Sequence, residues 1–305
     1  MYKRQVIPTV HAGGIERYVD AVITSVEGRS FSGHKVVLDS ANGSASTTAK
    51  VIFERLGAEV VSLADTPDGQ NINSGVGSTH PEFLQAAVVE HGAAAGFAFD
   101  GDADRIAAVG SDGVLIDGDR IIAMSALDRR ERNALANGTV VITVMANLGF
   151  RRAMDSYGIQ MVETPVGDRY VLEALDAGGH SLGGEQSGHV IHRDLATTGD
   201  GVLTAVQLFD ATLRRNVDMG EWAAQVMDRL PQVLLNVRTA EKIPDLASKL
   251  AEAVSAEEQM LGDGGRVLIR ESGTEPVVRV MVEAETAELA TKSAERLVAA
   301  VEALD

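Results

Sequence analysis

Short apolar runs alternate with amphipathic segments along this chain, and that rhythm limits the fold more than any other feature. Ile15, Tyr18, Val19, Val22, Ile23 and Val26 fall at the i, i+3, i+4, i+7 spacing of one helix face. A strand at 36–38, a helix at 47–56 ended by Gly57, and a strand at 60–63 follow. Thr79 and Glu82 form a capping-box pattern with Pro81 in the first turn, which opens a helix running to His91, where Gly92 ends it. A strand at 94–99 completes β-α-β-α-β, and helical crossovers of this kind require a mainly parallel sheet. Apolar runs at 106–109 and 114–116 flank Asp112-Gly113, a hairpin signal, and open a second unit. That unit continues with a helix at 121–127, a strand at 140–144, a helix at 149–157, a strand at 161–163 and helices near 202–213 and 222–230. A third, smaller unit has strands at 233–238, 266–270 and 277–283 and helices at 245–260 and 286–302. The expected architecture is α/β: two mixed or parallel α/β sandwich domains, at 1–106 and 107–229, followed by a smaller α+β C-terminal domain at 230–305.

Composition removes several classes. The chain has 305 residues and no cysteine, so disulfide scaffolds, thiolate zinc sites and cysteine nucleophiles are excluded. With 27 basic and 44 acidic residues, its net charge of −17 fits neither nucleic acid nor an anionic membrane surface as a partner. No apolar run nears the roughly 20 residues that cross a bilayer, and the start, MYKRQVIPTV, lacks the apolar core of a signal peptide. The default compartment is therefore the cytoplasm. Aromatic residues make up 4%, so the cores are expected to rest on Ala, Val, Leu and Ile.

Four loops have the composition for chemistry. Asp100, Asp102 and Asp104, in Asp-Gly-Asp-Ala-Asp-Arg directly after an apolar strand, can converge on one hard cation if Gly101 lets the backbone turn. An EF-hand is excluded by spacing, because its glycine position holds Arg105 and its twelfth position Ser111. The alternative is a solvated acidic turn. Gly183-Gly184-Glu185-Gln186-Ser187-Gly188-His189 brackets short polar side chains suited to reading several hydroxyls, against the alternative of a plain glycine turn. His189 alone reads as a structural histidine. Arg270-Glu271-Ser272-Gly273-Thr274-Glu275-Pro276, with Arg279 in the next strand, offers hydroxyls, backbone N–H groups and two guanidinium forks to an anion, or is an ordinary hairpin turn. Thr164-Pro165-Val166-Gly167-Asp168-Arg169-Tyr170 reads on its own as the start of a helix, with Asp168 near the N-terminus.

Taken in order and spacing, these loops resemble the metal, sugar-recognition and phosphate-binding loops of the α-D-phosphohexomutase family. The resemblance extends to Val36-Val37-Leu38-Asp39-Ser40-Ala41-Asn42-Gly43 and to the stretch from Asn71 to Glu82, and covers nearly the whole chain from about residue 10. These stretches, with Gln186 and the run 166–171, are most similar to the members that act on glucosamine phosphate. Relatives acting on glucose or mannose phosphates differ in the sugar loop. The resemblance implies an isomerase that moves a phosphoryl group between O6 and O1 of a hexosamine phosphate through a bisphosphate intermediate. It implies Mg²⁺ on Asp100, Asp102 and Asp104, with Arg105 in support. It places Glu185 and Ser187 on sugar hydroxyls, and Arg270, Ser272, Gly273, Thr274 and Arg279 on the phosphate that is not reacting. The three domains correspond to the family's second, third and fourth. The family's N-terminal domain, which carries a phosphoserine in a Ser-His-Asn-Pro-like loop, is lacking from this sequence. Ser78-Thr79-His80-Pro81 is only superficially similar to that loop and reads as a helix cap, so no residue here takes the nucleophile role. The isolated chain is expected to be inactive. Glu271, a carboxylate beside the phosphate loop, suits the family only if it points away. Oligomeric state is open, a homodimer included, and Mn²⁺ suits the same oxygen ligands as Mg²⁺.

Three other readings compete. A mutase for glucose or mannose phosphates shares every loop except the details of the sugar loop. An aspartyl-phosphate phosphatase, with Asp100 as nucleophile and Asp102 as acid, leaves the loops at 183–189 and 270–276 unexplained. A non-catalytic sugar-phosphate-binding protein would use the same loops without phosphoryl transfer.

Overall fold

A computed structural model of the chain describes residues 13–272 and 275–304. They group into two compact units, one of residues up to Met145 together with Ile159–Val226, the other of Ala146–Gly158 together with the chain from Met227 onward. The first unit opens with α1 (Gly14–Thr24), β1 (Lys35–Asp39), α2 (Ala49–Arg55), β2 (Glu59–Leu63), α3 (Glu82–His91) and β3 (Ala95–Phe99). It continues with β4 (Ile106–Gly110), β5 (Leu115–Ile116), α4 (Gly118–Glu131) and β6 (Thr139–Thr143). The next helix, α5 (Leu148–Ser156), belongs to the second unit. The chain then returns for β7 (Gln160–Thr164), α6 (Asp168–Gly178), β8 (Leu182–Gly184), β9 (Val190–His192), α7 (Gly201–Arg215) and α8 (Met219–Val226). The second unit closes with β10 (Gln232–Arg238), α9 (Leu246–Leu261), β11 (Arg266–Glu271), β12 (Val277–Glu283) and α10 (Ala287–Glu302).

The first unit holds two mixed sheets. One has the order β2-β1-β3-β4-β5, with β1 parallel to β2 and β3 and the β4–β5 hairpin antiparallel at its edge. The hairpin that the sequence assigns to a second unit therefore belongs to the first sheet. All five residues of β4 are buried, and pairing along β3 satisfies their backbone while covering their apolar side chains. The other sheet has the order β7-β6-β8-β9, with only β9 antiparallel. Strand β9 shows no readable period, because three residues ending in a buried histidine give no alternation. The second unit carries an antiparallel sheet, β10-β12-β11. Among the described residues no helix is long and apolar enough to cross a membrane.

Local signals are mostly honoured, with two corrections. Gly92 ends α3 in the left-handed region, as its position requires. The Thr79–Glu82 capping box does not form: Pro81 occupies the position before the helix and no side chain caps it. The run at 47–56 is not one helix, because Thr48 (φ −127°) separates a 3₁₀ turn at Ser44–Thr47 from α2. The scarce aromatics are concentrated rather than absent from the core. Phe31, Phe53, Phe97 and Phe209 are fully buried and contact one another at centroid distances of 5.1–6.4 Å, which packs α7 under the first sheet. A run of charges reinforces that packing. Arg29 pairs with the buried Asp210 of α7 at 2.6 Å, Asp210 with Arg214 at 2.7 Å, and Arg214 with Asp128 of α4 at 2.8 Å.

Strand order decides where ligands can sit. In an open α/β sheet the crevice lies beyond the carboxyl ends of neighbouring strands whose connections leave in opposite directions. In the first sheet that point falls between β1 and β3, beyond Asp39 and Phe99. In the second it falls between β6 and β8, beyond Thr143 and Gly184.

Candidate functional site

Asp100 follows β3 at the first of these points. It is 2% exposed, Asp104 is half-buried and Asp102 exposed, and one oxygen from each carboxylate falls within 4.8 Å of the others. At such distances each pair of charges repels by roughly 1–4 kcal/mol, depending on how far water is excluded. The Arg105 guanidinium offsets part of this, with Nη2 2.7 Å from Asp100 Oδ2 and Nε 3.5 Å from Asp104 Oδ1. Burial works against the Arg105 charge, but the two carboxylates outweigh it and hold the group above the ordinary arginine value. Three hard oxygen donors on one short turn suit a divalent cation of the Mg²⁺ or Mn²⁺ class, so the residues present can hold a metal ion.

The turn is not made as the glycine suggests. Ala103 takes the left-handed conformation (φ 61°), and its N–H donates to Asp100 O at 3.0 Å. Gly101 serves instead for close approach, because a Cβ there would stand 2.7–2.8 Å from the Ile72 and Asn73 side chains. Beside the loop lies a cavity of about 290 Å³ bordered by Ser44, Thr48, Asp102, Thr198 and Asp200. Tyr18 also borders it and donates its hydroxyl to the Asp200 carboxylate at 2.9 Å. Burial, followed by the Asp200 charge, pushes the Tyr18 hydroxyl far above its ordinary value, so it stays a donor at any physiological pH.

The loop after β8 occupies the second switch point and runs back to the first. Ile106 N–H donates to Gly188 O at 3.1 Å, Arg105 and His189 form an antiparallel bridge, and His189 Nδ1 lies 3.3 Å from Asp104 Oδ2. The buried His189 thus contacts the three-carboxylate cluster, a role its position in the sequence does not signal. Glu185, Gln186 and Ser187 border a cavity of about 340 Å³ with Thr143, Met145 and Val166. Glu185 Oε1 accepts the Gly167 N–H at 3.0 Å, so the turn before α6 both starts that helix and braces this loop. Arg169, by contrast, forms an exposed pair with Glu173 at 2.8 Å. Gln186 donates to the buried Asp119 of α4 at 3.3 Å. Gly118, beside Asp119, has no room for a side chain, since a Cβ there would be 2.5–2.6 Å from Glu185 O, Gln186 O and Gly188 N. Sequence reasoning missed Asp119, because a helix-start aspartate is commonplace.

In the second unit, Arg270 and Arg279 stand directly opposite across β11 and β12. Val278, Val280 and Val282 of β12 join the core made with α9 and α10, so by strand alternation the two arginines share the face away from those helices. Neither has an ion-pair partner among the described residues. Burial, and then the charge of Arg279, push the Arg270 guanidinium below its ordinary value. Two like charges held opposite one another are unfavourable unless an anion joins them. Glu271 follows Arg270 in the same strand and so points to the opposite face. Ser272 is buried, with its N–H donating to Val277 O at 2.8 Å. Gly273 and Thr274 lie outside the described residues. On the arginine face, Glu283 accepts from Arg266 Nε and Leu148 N–H at 2.8 Å, which ties the start of α5 to this sheet.

The first unit thus carries an acidic loop at one switch point and a glycine-bracketed polar loop at the next, and the second unit a small α+β sheet bearing an arginine pair, a combination that marks one class of protein. Comparison with known proteins gives the class its name. Three family descriptions match in order: "Phosphoglucomutase/phosphomannomutase, alpha/beta/alpha domain II" over residues 16–113, the corresponding "domain III" over 117–230, and the "C-terminal domain" over 234–300. The chain belongs to the phosphoglucomutase/phosphomannomutase family. Among curated relatives, the phosphoglucosamine mutase of Thermobifida fusca is 55% identical over 284 residues, which is 93% of this chain and 63% of that protein. The phosphoglucosamine mutase of Frankia alni is 51% identical over 292 residues, 95% of this chain and 64% of that protein. The chain therefore spans less than two thirds of the length of these relatives. Of solved structures, a phosphoglucomutase/phosphomannomutase family protein from Burkholderia thailandensis superposes with a TM-score of 0.79 at 26% identity, covering 95% of this chain and 64% of that one. Aspergillus fumigatus N-acetylphosphoglucosamine mutase, solved with GlcNAc-6P and magnesium, shares the fold at a TM-score of 0.76 and 21% identity, covering 94% of this chain and 69% of that one.

Proposed function

We propose that this chain is the second-to-fourth-domain portion of a phosphoglucosamine mutase, which interconverts glucosamine 6-phosphate and glucosamine 1-phosphate. Its three domains run to about residue 113, over 117–230 and from 234 onward, as the family matches suggest. The observation that carries the reading is the join between two loops. Ile106 N–H on Gly188 O and His189 beside Asp104 put the three-carboxylate cluster and the hydroxyl-reading loop on one wall. An acidic cluster alone is an ordinary surface feature, whereas one joined through Gly188 and His189 to the loop that carries Glu185 and Ser187 has a substrate to serve.

In this proposal Asp100, Asp102 and Asp104 hold Mg²⁺, and Arg105 fixes Asp100 and Asp104 in place. When bound, Mg²⁺ supplies charge neutralisation for a transferring phosphoryl group. Glu185 and Ser187 hold sugar hydroxyls, with the Glu185 carboxylate oriented by Gly167 N–H. Arg270, Ser272, Gly273, Thr274 and Arg279 hold the phosphate that is not reacting. Such groups contribute mainly by positioning, which supplies much of the catalysis in phosphoryl transfer. On this reading the 305-residue chain by itself binds a hexosamine phosphate without isomerising it.

Sugar identity rests on the relatives and on Gln186, and it is tested by calorimetric titration of glucosamine, glucose and mannose 6-phosphates into the chain with Mg²⁺. Glucosamine 6-phosphate is expected to bind most tightly. Tighter binding of glucose or mannose 6-phosphate moves the assignment to those sugars.

A further inference from the structure

We propose that Asp39 is a positioning residue that sets the backbone of the metal loop through two other loops, an inference that rests on reading Asp100, Asp102 and Asp104 as a metal centre. Asp39 ends β1, opposite Ala98 of β3, and its side chain is fully buried. Among the described residues it makes no hydrogen bond or ion pair to the cluster or to Arg105. Its two oxygens each accept one backbone N–H, from Ala41 at 2.9 Å and from Gly77 at 2.8 Å. Those donors lie in separate loops, 40–44 and 71–78, which are also joined by Asn73 N–H to Ala41 O at 2.9 Å.

Each loop then grips one side of Asp100. Ser78 N–H donates to the carbonyl of Phe99 at 2.8 Å, and Ser44 N–H donates to the carbonyl of Gly101 at 2.9 Å. The Phe99–Asp100 peptide and the Gly101–Asp102 peptide, which bracket Asp100, are thus held by two loops that share one carboxylate. Neither grip has slack. A Cβ on Gly43 would stand 2.3 Å from Gly101 O, and one on Gly77 would stand 2.5 Å from Phe99 O. Gly77 also sits at φ +83°, where a side chain is strained.

The chemistry favours a carboxylate for this task over any neutral group. Two donors converge, one on each oxygen, and an amide would turn its own N–H toward one of them. Burial pushes the Asp39 carboxyl above its ordinary value, while the two backbone N–H bonds pull the other way. A buried charge with no cationic partner among the described residues is an expensive way to close a turn. It is justified if the turn sets a functional atom, and the atom in line is the Asp100 side chain.

The test is Mn²⁺ binding to the 305-residue chain, read by electron paramagnetic resonance. Asp39→Asn is expected to bind Mn²⁺ about tenfold more weakly or worse, the range seen when outer-shell support of a metal ligand is removed. Leu175→Ala, which damages the core under the second sheet instead, is expected to bind as the unaltered chain does. Folded Asp39→Asn with unchanged Mn²⁺ affinity overturns the inference. If Asp39→Asn fails to fold, Gly77→Ala decides: it keeps the carboxylate and displaces the loop from Phe99 O. It too is expected to weaken Mn²⁺, and unchanged affinity there is equally fatal. Absence of Mn²⁺ binding in the unaltered chain overturns the metal reading itself, and this inference with it, so the two failures are distinct.

Discussion

Asp100→Asn is expected to weaken divalent-metal binding by about 100-fold, close to 2.8 kcal/mol at about 1.4 kcal/mol per decade. Asp100 is the buried member of the cluster, and its fixed position is what the other two carboxylates converge on. Its oxygens already meet Arg105 N–H at 3.1 Å and Arg105 Nη2 at 2.7 Å. An amide there removes a charge and also presents N–H to a guanidinium that can only donate. The exposed Asp102 gives the contrasting result. Asp102→Asn also weakens metal binding, but it removes a repelling charge without breaking an ion pair to Arg105. The metal-free chain is therefore expected to gain about 1 kcal/mol, the scale of one screened carboxylate pair. Calorimetry for the metal and urea unfolding without it separate the two effects. A metal-free Asp102→Asn chain that is less stable than the unaltered one means the cluster is not electrostatically strained.

Arg270→Ala is expected to lower affinity for a hexosamine phosphate by about 10–100-fold, the loss of one or two charge-assisted hydrogen bonds at about 1.5–3 kcal/mol. Burial and the charge of the opposed Arg279 both act against the Arg270 charge. That burden is relieved by a bound anion, so the phosphate and the arginines stabilise each other. Arg270→Lys is expected to recover little, because an ammonium keeps the charge and loses the planar fork. Titration of the three chains with glucosamine 6-phosphate checks this. Full affinity in Arg270→Ala means the arginine face of this sheet does not meet the phosphate.

Much of the fold is legible in the sequence alone. Strands β1, β3 and β6 and helices α1, α7, α9 and α10 follow from apolar periodicity, because each buries one face or one strand pair against a neighbour. Of the four loops singled out, those at 100–105, 183–189 and 270–276 stand out because charge and glycine cluster where apolar runs stop. What periodicity does not carry is adjacency between distant segments. The edge hairpin of the first sheet, the contact of His189 with Asp104 and the backing of Gln186 by Asp119 all depend on strand order or on close approach at glycine. Asp39 is the clearest case. It sits in a stretch that looks familiar, yet its chemistry appears only when Ala41 and Gly77 are seen to share its carboxylate. The unformed capping box at Thr79 shows the converse: the local pattern is present, but that stretch is committed to the metal loop through Gly77 and Ser78.

The most direct test of the central claim uses glucosamine 1,6-bisphosphate, which carries a phosphate at each of the two positions the proposed reaction connects. Its phosphorus NMR signals are followed as the chain is added, with and without Mg²⁺. The account predicts saturable broadening or shift of both signals with Mg²⁺ present, reduced in Asp100→Asn and in Arg270→Ala. Two signals unmoved by an excess of folded, Mg²⁺-loaded chain would contradict it.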